Sequence, residues 1–250
     1  MENYKPLRDS QIVILGICVV VATVTASLIL SKGFLRVTQF SRQVIAVTGS
    51  AEKKIVSDYI VWRGSFSRRD ADMTAAYARL KEDLTAVRKY LVSKGIRDTD
   101  IYESPVSTEI LYKKSSKGND TNEIEAYRLS MSAEVRTTQV DAAEALSRES
   151  TELIQSGIEF ISQSPEYFYT KLPELKLEML SDAAANAKSR AERMAESTGS
   201  RVGAMRSAQM GVFQITPVNS TEVSDWGVND TSSLEKRVTA VVRAEFSVVQ

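Results

Sequence analysis

From Ile12 to Leu30 the chain is apolar without a single charge, and beyond Val44 the pattern changes to short alternations and stripes separated by polar turns. The first run is 19 residues long. As a helix it measures about 28 Å, close to the hydrocarbon thickness of a bilayer. A buried core helix would show polar positions along one face, and this run offers only scattered Thr and Ser. It reads as a membrane-spanning signal anchor over residues 11–31, with a cytoplasmic tail at 1–10 and a linker at 32–42. Two rival readings remain open. Val24-Thr25-Ala26 resembles a small-residue cleavage site, although apolar Leu28-Ile29-Leu30 follows it. Leu15-Gly16-Ile17-Cys18 places bulky Ile where a lipid-attachment motif wants a small residue. Lys5 and Arg8 precede the run and Lys32, Arg36 and Arg42 follow it, so flanking charge does not set the orientation.

Residues 43–250 read as an alternation of strands and helices. Gln43–Gly49 predicts a first strand ending in a glycine turn. Ile55–Phe66 predicts a second, joined to the first as a hairpin through Ser50–Lys54. Met73, Tyr77, Leu80, Leu84, Val87 and Leu91 form one helical stripe, with Asp70 as N-cap and Gly95 as the left-handed terminator. Ile101–Tyr112 predicts a third strand with Tyr102, Val106, Ile110 and Tyr112 in register, and Lys113–Thr121 a polar hairpin tip. The fourth strand points Tyr127, Leu129, Met131, Ala133 and Val135 inward. A helix over 139–155 carries Val140, Ala143, Leu146 and Ile154. The strand that starts at Gly157 stops or becomes an edge at Pro165. A long helix over 172–197 has a seam of Ala183, Ala187, Ala191 and Ala195 suited to close packing. Val202–Ile215 predicts a strand broken or bulged at Gly203 and Gly211. Residues 216–233 form a polar loop carrying Trp226. The closing strand 238–248 alternates Val238, Ala240, Val242, Ala244, Phe246 and Val248 against polar neighbours. Sheets with one polar and one apolar face imply an α+β fold. The N-terminal transmembrane helix is then followed by antiparallel sheets with helices packed on one face, in two strand-helix-strand halves.

Composition narrows the chemistry. Lys and Arg number 32, Asp and Glu 32, and aromatics make up 7%, which gives no footprint for nucleic acid. There is no histidine, and the single cysteine, Cys18, lies inside the apolar run. A Ser-His-Asp or Cys-His site is therefore excluded, and no thiol is left in residues 43–250 for zinc or a disulfide. Glu103 and Glu109 are the remaining carboxylate candidates. Six residues apart on one strand, they stand about 20 Å apart, too far to act as a pair. The expectation is no enzyme: no catalytic residue, no cofactor and no metal. Asn119, Asn219 and Asn229 sit in Asn-x-Ser/Thr sequences, which would matter in a eukaryotic secretory protein and in a bacterial one are only polar loop.

The order of these segments resembles the SIMPL family, a mostly bacterial group of cell-envelope proteins. The resemblance runs over Val44 to Val249. It rests on Ile45-Ala46-Val47-Thr48-Gly49, on Leu91-Val92-Ser93-Lys94-Gly95-Ile96 with Asp100-Ile101, on Tyr127-Arg128-Leu129 and Gly157-Ile158, and on the alanine-spaced helix ending at Gly199 with the closing strand. Similar sequences often have Gly-Glu-Gly and Pro-Asp where this chain has Gly49-Ser50-Ala51 and Ser57-Asp58. The resemblance implies an α+β fold, an envelope location and a tendency to self-associate, and it implies no reaction.

The leading expectation is a single-pass protein of a bacterial inner membrane with its domain in the periplasm or outside. That domain would self-assemble as a homo-oligomer or dock on an envelope protein, in envelope maintenance or stress protection. The alternative is a module binding a small apolar or envelope ligand in a groove lined by Tyr102, Tyr112 and Tyr127.

Overall fold

The structure, a computed structural model, describes residues 5–40 and 44–249. In chain order its elements are α1 (Lys5–Phe40), β1 (Val44–Val56), β2 (Tyr59–Asp70), α2 (Met73–Ser93), β3 (Ile101–Glu103), β4 (Ser107–Lys114) and β5 (Asp120–Thr137). Then follow α3 (Val140–Glu149), β6 (Glu159–Ser162), β7 (Glu166–Phe168), α4 (Leu172–Glu196), β8 (Arg201–Met210), β9 (Gln214–Pro217), β10 (Val228–Asn229) and β11 (Glu235–Val249). The fold is α+β: an N-terminal apolar helix followed by two sheets and their helices.

The apolar run is the middle of the longer helix α1. Its stretch Ile14–Lys32 has a mean hydropathy of 2.5, none of it buried, and is long and apolar enough to cross a membrane. Thr23 donates its hydroxyl to the Val19 carbonyl at 2.9 Å and Thr25 to that of Val21 at 2.8 Å. Both polar groups are thus satisfied inside the helix, as an apolar surrounding requires. Residues 1–4 of the expected tail, and 41–43 of the expected linker and first strand, lie outside the described residues.

Contacts divide the chain into two compact units, Met1–Gly49 with Ala184–Met210 and Val242–Gln250, and Ser50–Ala183 with Gly211–Val241. In the second unit a six-stranded antiparallel sheet runs in the order β3-β5-β2-β6, with β4 also on β5 and β7 also on β2. Ile60, Trp62, Phe66, Leu129, Met131 and Val135 project from one face into a core closed by Leu80, Val87 and Leu91 of α2 and Leu146 of α3. Trp62 packs on Phe160 with ring centroids 6.1 Å apart. Its indole N–H donates to Ser162 Oγ at 3.0 Å, and that hydroxyl donates on to the Ser147 carbonyl at 2.8 Å. Gly64 makes this crossing possible, because a Cβ there would stand 2.2 Å from the Phe160 ring. In the first unit β8 pairs antiparallel with β11 from Val242↔Met210 to Val249↔Arg201. The alanine seam of α4 is fully buried at Ala183, Ala187, Ala191 and Ala195.

Several expected boundaries shift, each for a local reason. Gly49 is no turn. β1 runs through it to Val56, the chain turns at Ser57-Asp58, and β1 joins β11 in a five-stranded sheet rather than forming a hairpin with β2. Asp70 stays in β2 opposite Tyr127, so Asp72 caps α2, accepting from Thr74 N at 2.8 Å. Met73 and Tyr77 are exposed, and Ala76 and Asp83 join Leu80, Leu84, Val87 and Leu91 on the buried stripe. Gly95 ends the helix with φ +92° as its sequence position predicts. The third strand splits at Ser104-Pro105-Val106 into β3 and β4, which leaves Tyr102, Ile110 and Tyr112 exposed. After α3 the chain tightens to a 3-10 turn over Ser150–Ser156. Three residues per turn replace 3.6, so Leu153 rather than Ile154 faces the core. The strand after α4 behaves as its glycines predict: its register shifts at Gly203, opposite Phe246–Val248, and it breaks at Gly211.

Asp83 faces Arg68, which continues the inward alternation of β2. The guanidinium donates to Asp83 from Nε at 2.5 Å and from Nη2 at 2.7 Å, so the helix is clamped to the sheet by a bidentate pair. Asp83→Ala strands the Arg68 guanidinium beside the core. The expected loss is about 1–3 kcal/mol. Urea unfolding reads it as a lower midpoint at unchanged slope.

Candidate functional site

The sequence candidates do not converge. Glu103 accepts from Arg88 at 2.7 Å, and Glu109 lies 3.4 Å from Arg128, so each carboxylate is engaged by its own arginine. Tyr102 lies under the Arg136 guanidinium at 4.8 Å on the polar face of the sheet, Tyr112 is exposed near the hairpin tip, and Tyr127 packs on the core. The three do not line one groove. A cleft of about 500 Å³ lies instead between the β1–β2 turn, the start of α3 and Leu234, lined by Ser57, Asp58, Gln139 and Asp141 among others. Thr170 already donates to both Asp58 oxygens there, each at 2.7 Å.

The feature with a built geometry is the loop from Val218 to Ser233, which the sequence marks only as polar. Pro217 ends β9, and serine turns then shape the segment: Ser220 Oγ accepts from Glu222 N at 3.1 Å and Ser224 Oγ from Trp226 N at 3.3 Å. At the neck stands Gln214, buried at the start of β9. Its amide donates to the Ser224 carbonyl at 2.6 Å and accepts from Val228 N at 2.9 Å, so one side chain holds both ends of the tip. Gly227 closes the turn with φ +86°. A Cβ there would meet the Phe213 carbonyl at 2.8 Å, so glycine is needed for both reasons. β10 then pairs parallel with β9, Val228 opposite Gln214.

β11 supplies the other supports. Arg237 donates to the Val218 carbonyl at the start of the loop. Lys236 is only 3% exposed, and its ammonium donates to the Tyr167 carbonyl at 2.7 Å and to the Asp230 carbonyl. Asp230 Oδ1 accepts from Ser232 N at 2.9 Å, while its Oδ2 is buried without a hydrogen bond. Burial pushes the Lys236 ammonium below its ordinary value of 10.5, and the Asp230 charge opposes that push. Burial also raises the Asp230 carboxyl, but hydrogen bonds from Ser232 and the Lys236 charge outweigh it and leave the group lowered.

These supports present apolar surface to solvent. Trp226 is 94% exposed and Val223 77%, at the tip of a loop fixed at its start, middle and end. A tryptophan buries about 150–250 Å², so leaving this one outside forgoes roughly 4–6 kcal/mol of hydrophobic stabilisation. A single exposed apolar side chain is ordinary. This one is carried on a loop braced by two buried polar side chains, Gln214 and Lys236. The loop also bears Glu222, Asp225 and Asp230 and no basic residue. Sequence did carry a signal for Lys236. Extending the β11 alternation upstream from Val238 puts it on the buried face. Gln214 and the neck it forms carry no comparable signal.

An apolar N-terminal helix followed by a two-sheet α+β domain defines the class of this chain. The SIMPL family, described as a protein of unknown function (DUF541), matches residues 45–246, and the chain belongs to that family. The braced loop lies inside the matched range. No curated protein matches the chain.

Lys236→Met removes the donor to two carbonyls and the charge facing Asp230, and is expected to cost about 1–3 kcal/mol. The sign of the pH effect follows from linkage. With the folded pKa below 10.5, the unfolded chain binds more protons between the two values. Wild-type stability therefore carries a charging penalty below the folded pKa and recovers it as pH rises toward 10.5, and the variant lacks that rise. Urea midpoints taken through the alkaline range for both proteins check it.

Proposed function

We propose that this chain is a non-enzymatic, membrane-anchored protein of the bacterial envelope, held in the inner membrane by α1 with its domain in the periplasm or outside. The domain works by contact, assembling with itself or docking on an envelope partner, and the loop from Val218 to Ser233 is the contact element. The observation that carries this reading is Trp226, 94% exposed on a loop whose backbone is tied down by Gln214, Lys236 and Arg237. Binding through such a loop orders little that is not already ordered, so the buried indole area is retained as affinity. The absence of histidine from the sequence and the placement of Cys18 in the apolar run favour contact over chemistry.

Light scattering on the full-length chain in detergent tests the reading, with residues 219–227 intact and then replaced by a short glycine link. The intact chain is expected to run larger than a monomer or with an envelope partner, and the shortened loop to abolish both. A strict monomer at high concentration that retains nothing from envelope extracts contradicts it.

A further inference from the structure

The cleft between the β1–β2 turn and the start of α3 holds a polar group that the fold leaves unused. Ser57 lines this cleft and is only 4% exposed, and its hydroxyl is buried with no hydrogen-bond partner among the described residues. The backbone beneath it is fixed, since Ser57 N donates to the Leu234 carbonyl at 2.9 Å. A buried hydroxyl left unpaired is unfavourable, and a ligand that bonds to it relieves that cost. α3 opens on the same cleft. Its N-cap residue, Gln139, makes no side-chain hydrogen bond to the first turn, so the amides of Val140, Asp141 and Ala142 have no capping side chain. The volume of about 500 Å³ lies within the roughly 300–1,000 Å³ usual for small-molecule sites.

The lining sets the charge of the ligand. It includes Asp58 and Asp141 and, among the described residues, no Lys or Arg, which disfavours an anion. Asp141 stands in the first turn of α3 and already offsets the positive end of the helix. A cation is disfavoured in turn by that helix end, and Asp58 is engaged by Thr170 through both oxygens. A neutral ligand that both accepts and donates hydrogen bonds fits this lining. Amide donors beside a carboxylate acceptor match adjacent hydroxyls of a sugar: one oxygen accepts from an amide while the next hydroxyl donates to Asp141. Val56, Val140 and Leu234 supply an apolar wall for the C–H face of the ring. We infer that this cleft binds a neutral sugar of one or two rings, with Ser57, Asp141 and the first-turn amides of α3 as its polar partners. The site is separate from the Trp226 loop and does not depend on the docking role proposed for it.

The test is an NMR titration of the isotope-labelled full-length chain, in a zwitterionic detergent without a sugar headgroup. The probes are glucose, N-acetylglucosamine and maltose. The amides of Val140, Asp141 and Ala142 are expected to shift saturably with at least one of them, at a midpoint on the order of 1 mM. Ser57→Ala is expected to weaken that binding about fivefold. Its urea midpoint is expected to stay level or rise, because the hydroxyl has no bond in the fold to lose. Asp141→Ala is expected to weaken binding to a similar degree, and Asp141→Asn, which keeps an acceptor oxygen, to restore part of it. Unsaturable shifts with all three sugars, or saturable shifts confined to amides elsewhere, overturn the site. A lowered urea midpoint in Ser57→Ala assigns the hydroxyl to the fold and overturns its role toward a ligand. Saturable binding of spermidine at these amides, with no sugar bound, assigns the carboxylates to a cation and overturns the proposal as well.

Discussion

The ladder between β2 and β5 runs without a register shift from Ile60↔Thr137 to Asp70↔Tyr127, and the second unit takes its geometry from it. Side chains alternate across a strand, so a slip of one residue would send Trp62, Phe66, Leu129 and Val135 to the solvent face. The same phase carries Arg68 to the helix side, where Asp83 meets it, and sets Arg63 and Glu134 on the other face. β3 and β4 follow one edge of this pair and β6 and β7 the opposite edge, interrupted where Pro105 and Pro165 fall. Core, clamp and polar face are consequences of one register.

A different economy governs the loop after β9. It contributes no fully buried apolar residue, and it is held by the short pairing of β10 with β9, by a few backbone hydrogen bonds and by side chains that reach its backbone. Gln214 substitutes for missing strand partners at the tip, and Lys236 occupies a buried position in the alternation of β11 in order to hold two carbonyls. Desolvating an ammonium is costly and is offset only when its donors are satisfied. Lys236 is satisfied where it is buried and steadies the loop, while Trp226 stays outside.

Much of this was legible in the residues. The apolar run, the alternating strands 127–135 and 238–248, the alanine seam and Gly95 each stand where periodicity and helix-ending chemistry put them, and the order of segments pointed to the family. What was not legible depended on context. Gly49 looks like a turn because glycine permits one, yet β1 continues in pairing with β11, a residue range almost two hundred positions away. Asp70 and Asp72 are equally good caps in isolation, and the β2–β5 ladder decides between them. Ile154 fails because a 3-10 turn changes the period partway along the segment. The residues of the loop mark it as polar and no more, since its bracing comes from Gln214 and Lys236, whose roles appear only once β9 and β11 are side by side.

The account turns on the loop being held rather than merely exposed, and hydrogen exchange on the full-length chain tests that most directly. The amides of Gly227, Val228 and Asp230, bonded to Ser224, Gln214 and Ile215, are expected to exchange at least an order of magnitude more slowly than the Val223 amide at the tip. Exchange of all these amides at one fast rate would contradict the account, because Trp226 would then be carried on a segment that nothing positions.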